Sequence, residues 1–253
     1  MTQNNRTAVR RKHLQFSSSH ANWDQIWNEG LSEREKRLGT IAKRYVLPKY
    51  YKLFNRFFEE KGAIRILEVG AGAGEMTHFI ISKRPRYIVD YMTTELTWEG
   101  CSQIRSLGVR CEQMDAMALG FRDGAFDAVC SFDVMHHVPD PGRMAREVMR
   151  VASKYIFLIE SNGLSLGRKL LEKTKSYRSL GENSYFPWQY RSFFSSISIL
   201  QFEIHPFLFT IPGMPDFTWR WVARFSELME KMPLIRWQCS GVWMGIMKCE
   251  DSL

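Results

Sequence analysis

The chain has 253 residues, of which 45% are hydrophobic and 25% are charged, so it has the composition of a globular protein with a buried core. No apolar run is long enough to cross a bilayer, and the first 20 residues lack the apolar segment of a secretory signal. The five cysteines form no C-x-x-C pair, which favours reduced thiols, a cytoplasmic location and no bound metal.

The N-terminal quarter is predicted to precede the main domain. Residues 1–20 read as an unstructured basic tail, which supplies part of the net charge of +8. A solvated tail is favoured over a nucleic-acid or anionic-membrane partner, although both remain as alternatives. Residues 21–62 are predicted to form a helical cap. Within it Trp23 and Trp27 share a helical face, and Pro48 ends or kinks a helix.

Residues 64–83 predict a strand, a tight glycine loop and a helix. The apolar run 64–69 is followed by Gly70, Gly72 and Gly74, and then by apolar residues at helical spacing. Glycine allows a positive φ and lets a ligand approach the backbone closely. The helix that follows presents unpaired N–H groups to the loop. A dinucleotide-binding loop would have its third glycine at position 75, which is Glu75, so a nicotinamide oxidoreductase is disfavoured.

Beyond the loop the pattern alternates between strand and helix. Further strands are predicted at 87–95, 109–113, 126–132 and 155–160, and helices at 97–106 and 141–151. This alternation is typical of an α/β fold with a doubly wound, mostly parallel sheet. In such a sheet a ligand binds at the carboxyl ends of the strands.

The C-terminal third is predicted to contain two insertions, at about 163–196 and 212–240, around strands at 198–210 and 241–248. It is rich in large aromatic residues, among them Phe186, Trp188, Tyr190, Phe207, Phe209, Phe217, Trp219 and Trp221. They favour core packing together with the lining of an apolar pocket. The alternative is an amphipathic helix on a membrane surface, with Arg220 and Arg224 toward the headgroups.

The glycine loop with its preceding acid, Glu68 to Gly74, has the pattern E-x-G-x-G-x-G. It resembles motif I of the class I S-adenosylmethionine (SAM)-dependent methyltransferases, in particular the small-molecule kind called methyltransferase type 11. The segments 113–117 and 121–141 are similar to later parts of that family, so the resemblance covers about residues 64–163. It implies a Rossmann-like, seven-stranded sheet within a domain at 63–253, with strand 7 antiparallel between strands 5 and 6.

The resemblance also implies SAM as the cofactor and a set of residues that bind it. Glu68 would hold the ammonium group, Glu95 would accept the ribose hydroxyls, and Asp115 would accept from the adenine amino group. Asp90 is the alternative ribose anchor. The full implied set is Glu68, Gly70, Ala71, Gly72, Gly74, Glu95, Leu96, Asp115, Ala116 and Phe132.

The predicted reaction is an in-line transfer of a methyl group to a small, hydrophobic acceptor, for which orientation supplies much of the catalysis. A base is needed only where the acceptor loses a proton. His136 and His137 are weak candidates, because a capping or packing role is favoured, and adjacent histidines on a helix point to different faces. Alternatives are an RNA or protein methyltransferase and a non-catalytic partner protein with the same fold.

Overall fold

A computed structural model describes residues 42–175, 183–195, 199–210 and 215–249. The predicted tail and the first part of the predicted cap, with Trp23 and Trp27, lie outside these residues.

The described residues contain a seven-stranded sheet in the order β3-β2-β1-β4-β5-β7-β6. Neighbouring strands run parallel from β3 to β5, whereas β7 is antiparallel to both β5 and β6. The predicted α/β class, the mostly parallel sheet and the antiparallel last strand are therefore confirmed. The strands are β1 Ile64–Val69, β2 Ile88–Glu95, β3 Arg110–Gln113, β4 Phe126–Phe132, β5 Ala152–Ser161, β6 Ile199–Phe207 and β7 Gly241–Lys248.

Seven α-helices flank the sheet in the part of the chain that the structure describes. They are α1 Leu47–Phe58, α2 Glu75–Ser82, α3 Trp98–Ser106, α4 Pro141–Val151, α5 Leu166–Leu171, α6 Pro187–Phe193 and α7 Trp219–Lys231. Pro48 lies in the first turn of α1, where a π-helical turn, Ala42–Val46, changes into an α-helix. Thr97 caps α3, and its hydroxyl accepts a hydrogen bond from the N–H of Gly100 at 3.2 Å.

The sheet buries an apolar layer on each face. On one face, Phe54 and Phe58 of α1 are fully buried and pack on the ring of Phe157 in β5, with centroid distances of 5.8 and 6.0 Å. On the other face, Met144 and Val148 of α4 are fully buried in the apolar layer between that helix and the sheet. Because both faces are covered, the edge formed by the carboxyl ends of the strands is the place where a ligand can reach the sheet.

The exposure of side chains on helix α7 contradicts part of the prediction for the aromatic residues. Val222, Ser226 and Met229 form its buried face, whereas Trp221 and Leu228 have 71% and 57% of their surface exposed. Val222, Ser226 and Met229 follow the spacing i, i+4, i+7, and Trp221 and Leu228 fit the same period one residue earlier. The helical period alone therefore does not reveal which set faces the core. The prediction that the large aromatic residues are core or pocket lining is wrong for Trp188, Phe217 and Trp221, and it is confirmed for buried Tyr190 and Phe207.

Among the described helices, none combines the length and the apolar character that a bilayer span requires.

Candidate cofactor site

The loops after β1, β2, β3 and β4 meet at the carboxyl edge of the sheet. The chain leaves β1 toward β2 on one side, while β4 lies on the other side, so this is the point where the strand order reverses. A Cβ atom placed on Gly70 would lie 2.8 Å from the side chain of Val134, which shows how closely the loops after β1 and β4 approach each other.

The glycine loop is shaped by three residues with positive φ. Gly70, Gly72 and Gly74 have φ values of 69°, 58° and 79°, and Gly74 is the N-cap of α2. The loop is joined to β2 by a hydrogen bond from the N–H of Ala71 to the carbonyl of Thr94, at 2.9 Å. A Cβ atom on Gly72 would meet no protein atom within 4 Å. Gly72 therefore borders open space in front of the loop.

Glu95 ends β2 and reaches into the glycine loop. Its Oε2 accepts a hydrogen bond from the N–H of Gly72 at 2.8 Å, and its Oε1 accepts one from the N–H of Thr97 at 3.3 Å. The residue is only 8% exposed. Burial raises the pKa of the Glu95 carboxyl, and the N–H donors offset part of that rise. A buried carboxylate thus lies beside the open space at Gly72.

Asp90, the alternative ribose anchor, lies at the other end of the same strand. It pairs with Arg65 of β1 in the sheet register, and its carboxylate forms an ion pair with Arg110. It is therefore separated from the glycine loop by most of the length of β2.

Glu68 is buried under the first turns of α2. Its Oε2 accepts hydrogen bonds from the hydroxyls of Thr77 at 2.6 Å and Tyr91 at 2.8 Å, and the residue is 2% exposed. Burial raises the pKa of Glu68 to about 7, although both hydroxyls act against this rise. The structure places Glu68 behind the loop, where it joins β1, β2 and α2.

The loop after β3 begins with Asp115 and Ala116. The Oδ1 atom of Asp115 accepts a hydrogen bond from the N–H of Met117 at 2.8 Å, the geometry of an Asx turn. Ala116 is half-buried against the core. Leu96, at the neighbouring turn, accepts a hydrogen bond through its carbonyl from Gln113 at 2.9 Å. Side chains of α4 hold the rest of the loop, since Arg150 donates to the carbonyls of residues 119 and 121.

Beyond β4, Asp133 follows Phe132 in the segment that resembles the family and is expected beside the methionine part of the cofactor; the structure adds its pairing with Tyr50 of α1, which the sequence did not reveal. Asp133 has a φ of 58°, which is rare outside glycine, and its Oδ2 accepts a hydrogen bond from the Tyr50 hydroxyl at 2.8 Å. Its surface is accessible, yet protein atoms surround the carboxyl densely enough that burial raises its pKa. We call the accessible surface at this carboxyl, next to Tyr50 and Phe132, the recess. Phe132 is half-buried beside it and stacks on Tyr50 at 6.3 Å.

The two histidines differ from the prediction in one respect. They lie in a 3-10 turn, Met135–His137, and their rings are 4.1 Å apart instead of facing different sides. His136 is 3% exposed, and its Nδ1 lies 2.7 Å from Glu160 Oε2. The favoured packing role of His136 agrees with this geometry.

Glu160 and Gly100 are site residues that sequence reasoning missed. Glu160, fully buried at the end of β5, accepts hydrogen bonds from the N–H groups of Met135 at 2.7 Å and Val134 at 3.2 Å. A Cβ atom on Gly100 would lie 2.6 Å from the Glu95 side chain and 3.0 Å from the Gly72 carbonyl. The available signals were a charged residue that ends an apolar strand and a glycine inside a helix.

These features define an α/β protein with a glycine loop at the reversal point of its sheet. Residues 67–156 match a family model described as a methyltransferase domain. This match lies in the segment that carries the glycine loop, and it supports the predicted resemblance to the class I SAM-dependent methyltransferases and to their use of SAM as the cofactor.

Similar proteins support the same family. The chain is 25% identical over 138 residues to a chloroplastic tocopherol O-methyltransferase of Arabidopsis thaliana, an alignment that covers 52% of this chain and 36% of that protein. The chain thus spans about a third of this curated relative's length.

Solved structures agree on the fold. A SAM-dependent methyltransferase from Thermotoga maritima has a TM-score of 0.65 at 16% identity, over 90% of this chain and 98% of that one. A 4+2 cyclase has a TM-score of 0.53 at 17% identity, over 79% of this chain and 80% of that one.

The described residues fit the family's cofactor. The open space at Gly72 gives a ligand access to the loop backbone, and a Cβ atom would occupy part of it. The Glu95 carboxylate provides buried acceptors next to that space, suited to a ligand that carries vicinal hydroxyls.

The open space at Gly72 gives a first prediction. Gly72→Ala should weaken SAM binding by about tenfold or more, since overpacking costs roughly 1–3 kcal/mol. The matched control is Gly108→Ala, because Gly108 has a φ of 78° and also has no neighbour within 4 Å of its Cβ position. Both variants carry the same backbone strain, so titration calorimetry isolates the cofactor contact. Equal affinities of the two variants would contradict the assignment.

Glu68 gives a prediction about pH. Its folded pKa of about 7 lies above its usual 4.5, so the stability linked to protonated Glu68 is complete below pH 4.5 and is lost as the pH rises through 7. The loss is about 3 kcal/mol. Glu68→Gln keeps an acceptor for both hydroxyls and removes the loss.

Urea unfolding of Glu68→Gln and wild type at about pH 5 and pH 8 measures this effect. The variant should gain stability relative to wild type at the higher pH. If the stabilities of the two proteins change in parallel with pH, Glu68 does not carry the raised pKa.

Proposed function

We propose that this protein transfers a methyl group from SAM to a small, apolar acceptor by in-line displacement. The observation that carries the proposal is the open space in front of Gly72, with the Glu95 carboxylate buried beside it. Asp133 and Tyr50, on the neighbouring loop and on α1, supply polar groups for an acceptor.

Different described residues would bind the three parts of the cofactor. Gly70, Ala71, Gly72 and Gly74 would line the methionine part, together with Phe132. Glu95 and Leu96 would hold the ribose, and Asp115 and Ala116 the adenine. Bound SAM supplies a methyl group that is already activated on a positively charged sulfur. Glu68 would act on the ammonium group through the loop or a water molecule, because its carboxylate is bonded to Thr77 and Tyr91 behind the loop.

Asp133 is the best candidate for a proton acceptor. His136 is buried and bound to Glu160, whereas the Asp133 carboxyl lies in an accessible recess with a raised pKa. A raised pKa makes a carboxylate a stronger base near neutral pH. Tyr50 donates to its Oδ2 and so orients the carboxyl. His137 remains the weaker candidate.

The apolar character of the acceptor rests on two arguments. The half-buried ring of Phe132 lies next to Asp133 and 6.3 Å from the ring of Tyr50, which gives the recess an aromatic side. The relative from Arabidopsis thaliana is named for methyl transfer to tocopherol, a hydrophobic molecule. RNA and protein acceptors are the second choice, because no described feature beyond net charge favours them.

Cofactor calorimetry and methyl transfer test the proposal together. We expect SAM and its demethylated product to bind, and radiolabelled methyl to enter a lipid or quinone fraction more than RNA. Asp133→Asn should keep cofactor affinity while losing transfer, by about 10²–10⁴-fold if the acceptor needs a base. Binding of NADH without binding of SAM would reject the proposal. Radiolabelled methyl found only in RNA would show that the acceptor is RNA and not a small apolar molecule.

The ribose anchor is tested by a matched pair on one strand. Glu95→Ala should weaken SAM binding by about 1–3 kcal/mol, the usual loss when polar partners are left unpaired. Asp90→Ala removes a carboxylate at the far end of β2 and should leave the affinity unchanged. The reverse result in calorimetry would move the anchor to Asp90.

A further inference from the structure

Helix α7 has three faces with different chemistry. Val222, Ser226 and Met229 pack on the domain. A second row, the apolar stripe, consists of Trp221, Phe225 and Leu228 in the helix and Met232 directly after it, which are 71%, 47%, 57% and 38% exposed. The stripe follows i, i+4, i+7, i+11, so it is a continuous helical face. A globular fold gains nothing from presenting such a row to water.

The apolar stripe extends beyond both ends of the helix. Phe217, just before α7, is 82% exposed, and Leu234, just after it, is 87% exposed. Phe225 touches the ring of Phe209 on one side, at 5.1 Å, and leaves the rest of its surface open. Contiguous exposed apolar surface of this kind marks an interaction site.

The third face of α7, the basic row, lies next to the stripe. It contains Arg220, Arg224, Glu227 and Lys231, all exposed, so three positive charges stand against one negative charge. The guanidinium of Arg224 lies 6.0 Å from the ring of Trp221, and that of Arg220 lies 5.4 Å from the ring of Trp219. The cations thus flank the aromatic residues instead of being dispersed around the helix.

We propose that α7 docks on the surface of an anionic lipid bilayer, with the apolar stripe among the acyl chains and the basic row at the headgroups. A helix that lies in a membrane interface has an apolar face with aromatic residues and an adjacent basic face. A second copy of this chain is a poorer fit, because pairing of the two stripes would bring two basic rows together.

The docked helix would place the bilayer next to the acceptor recess. Lys49 of α1 donates to Glu230 of α7 at 2.7 Å, and Tyr45 reaches the carbonyl of Ala223 at 3.5 Å. Tyr50, the residue directly after Lys49 in α1, donates a hydrogen bond to Asp133. An acceptor dissolved in the bilayer would reach the site from this side. That last step rests on the proposed function, whereas docking itself does not.

Co-sedimentation with lipid vesicles tests docking without any methyl transfer. The full chain should sediment with vesicles of phosphatidylcholine and phosphatidylserine, less with phosphatidylcholine alone, and less again at high salt. Trp221→Ser combined with Phe225→Ser should reduce binding by about tenfold or more, because both rings leave the interface. The control, Val89→Ser with Leu200→Ser, removes two residues of similar exposure outside α7 and should bind as wild type does.

Two matched double variants test whether docking requires the positive charges of the basic row. Arg220→Gln with Arg224→Gln should weaken binding to the phosphatidylserine vesicles by about fivefold for each charge. Arg86→Gln with Lys154→Gln, exposed residues near the amino ends of β2 and β5, should not. Thermal unfolding should be unchanged in all four variants, because the substituted side chains are exposed.

Two outcomes would overturn docking. One is a wild-type chain that stays in the supernatant with both vesicle types while it still binds SAM in calorimetry. The other is a molar mass of two chains in solution that falls to one in the Trp221→Ser, Phe225→Ser variant, which would assign the stripe to a second copy. A chain that binds vesicles normally but does not bind SAM would reject the proposed function and leave the docking proposal standing.

Discussion

Two buried glutamates hold the loops of the site, each from the end of the strand next to the one whose loop it binds. Glu95, at the end of β2, accepts the N–H of Gly72 in the loop after β1. Glu160, at the end of β5, accepts the N–H groups of Val134 and Met135 in the loop after β4. A buried carboxylate without such donors is costly, so each loop is bound to its acid. The open space at Gly72 and the recess at Asp133 both depend on these contacts.

The sequence predicted what is local and missed what depends on register. The bounds of β1, β4, α4 and β7 were predicted as observed, because alternating or buried apolar runs end at turn residues there. The role of Glu160 follows from the pairing of β5 beside β4, which no local pattern contains. Helix α7 shows the same limit, since its buried face and its exposed stripe have one period and differ only in which neighbour they meet.

The fold alone does not determine the reaction. The structure of a 4+2 cyclase resembles this chain over most of its length, so a glycine loop at the reversal point of the sheet fixes a ligand site and leaves the chemistry open. What distinguishes one member from another is the surface that meets the acceptor. In this chain the proposed acceptor surface contains Tyr50 and Asp133, and the positive φ of Asp133 is the kind of backbone strain found at functional sites.

The acceptor recess and the apolar stripe of α7 are physically connected. Lys49 and Glu230 form an ion pair whose side chains are 15% and 20% exposed, so it is stronger than a fully solvated pair. This pair and the packing of Tyr45 join α7 to the first turn of α1, which carries Tyr50. Because α7 and α1 are joined, any surface that binds the stripe also determines how the recess is oriented relative to that surface. A lipid bilayer would both cover the stripe and store an apolar acceptor.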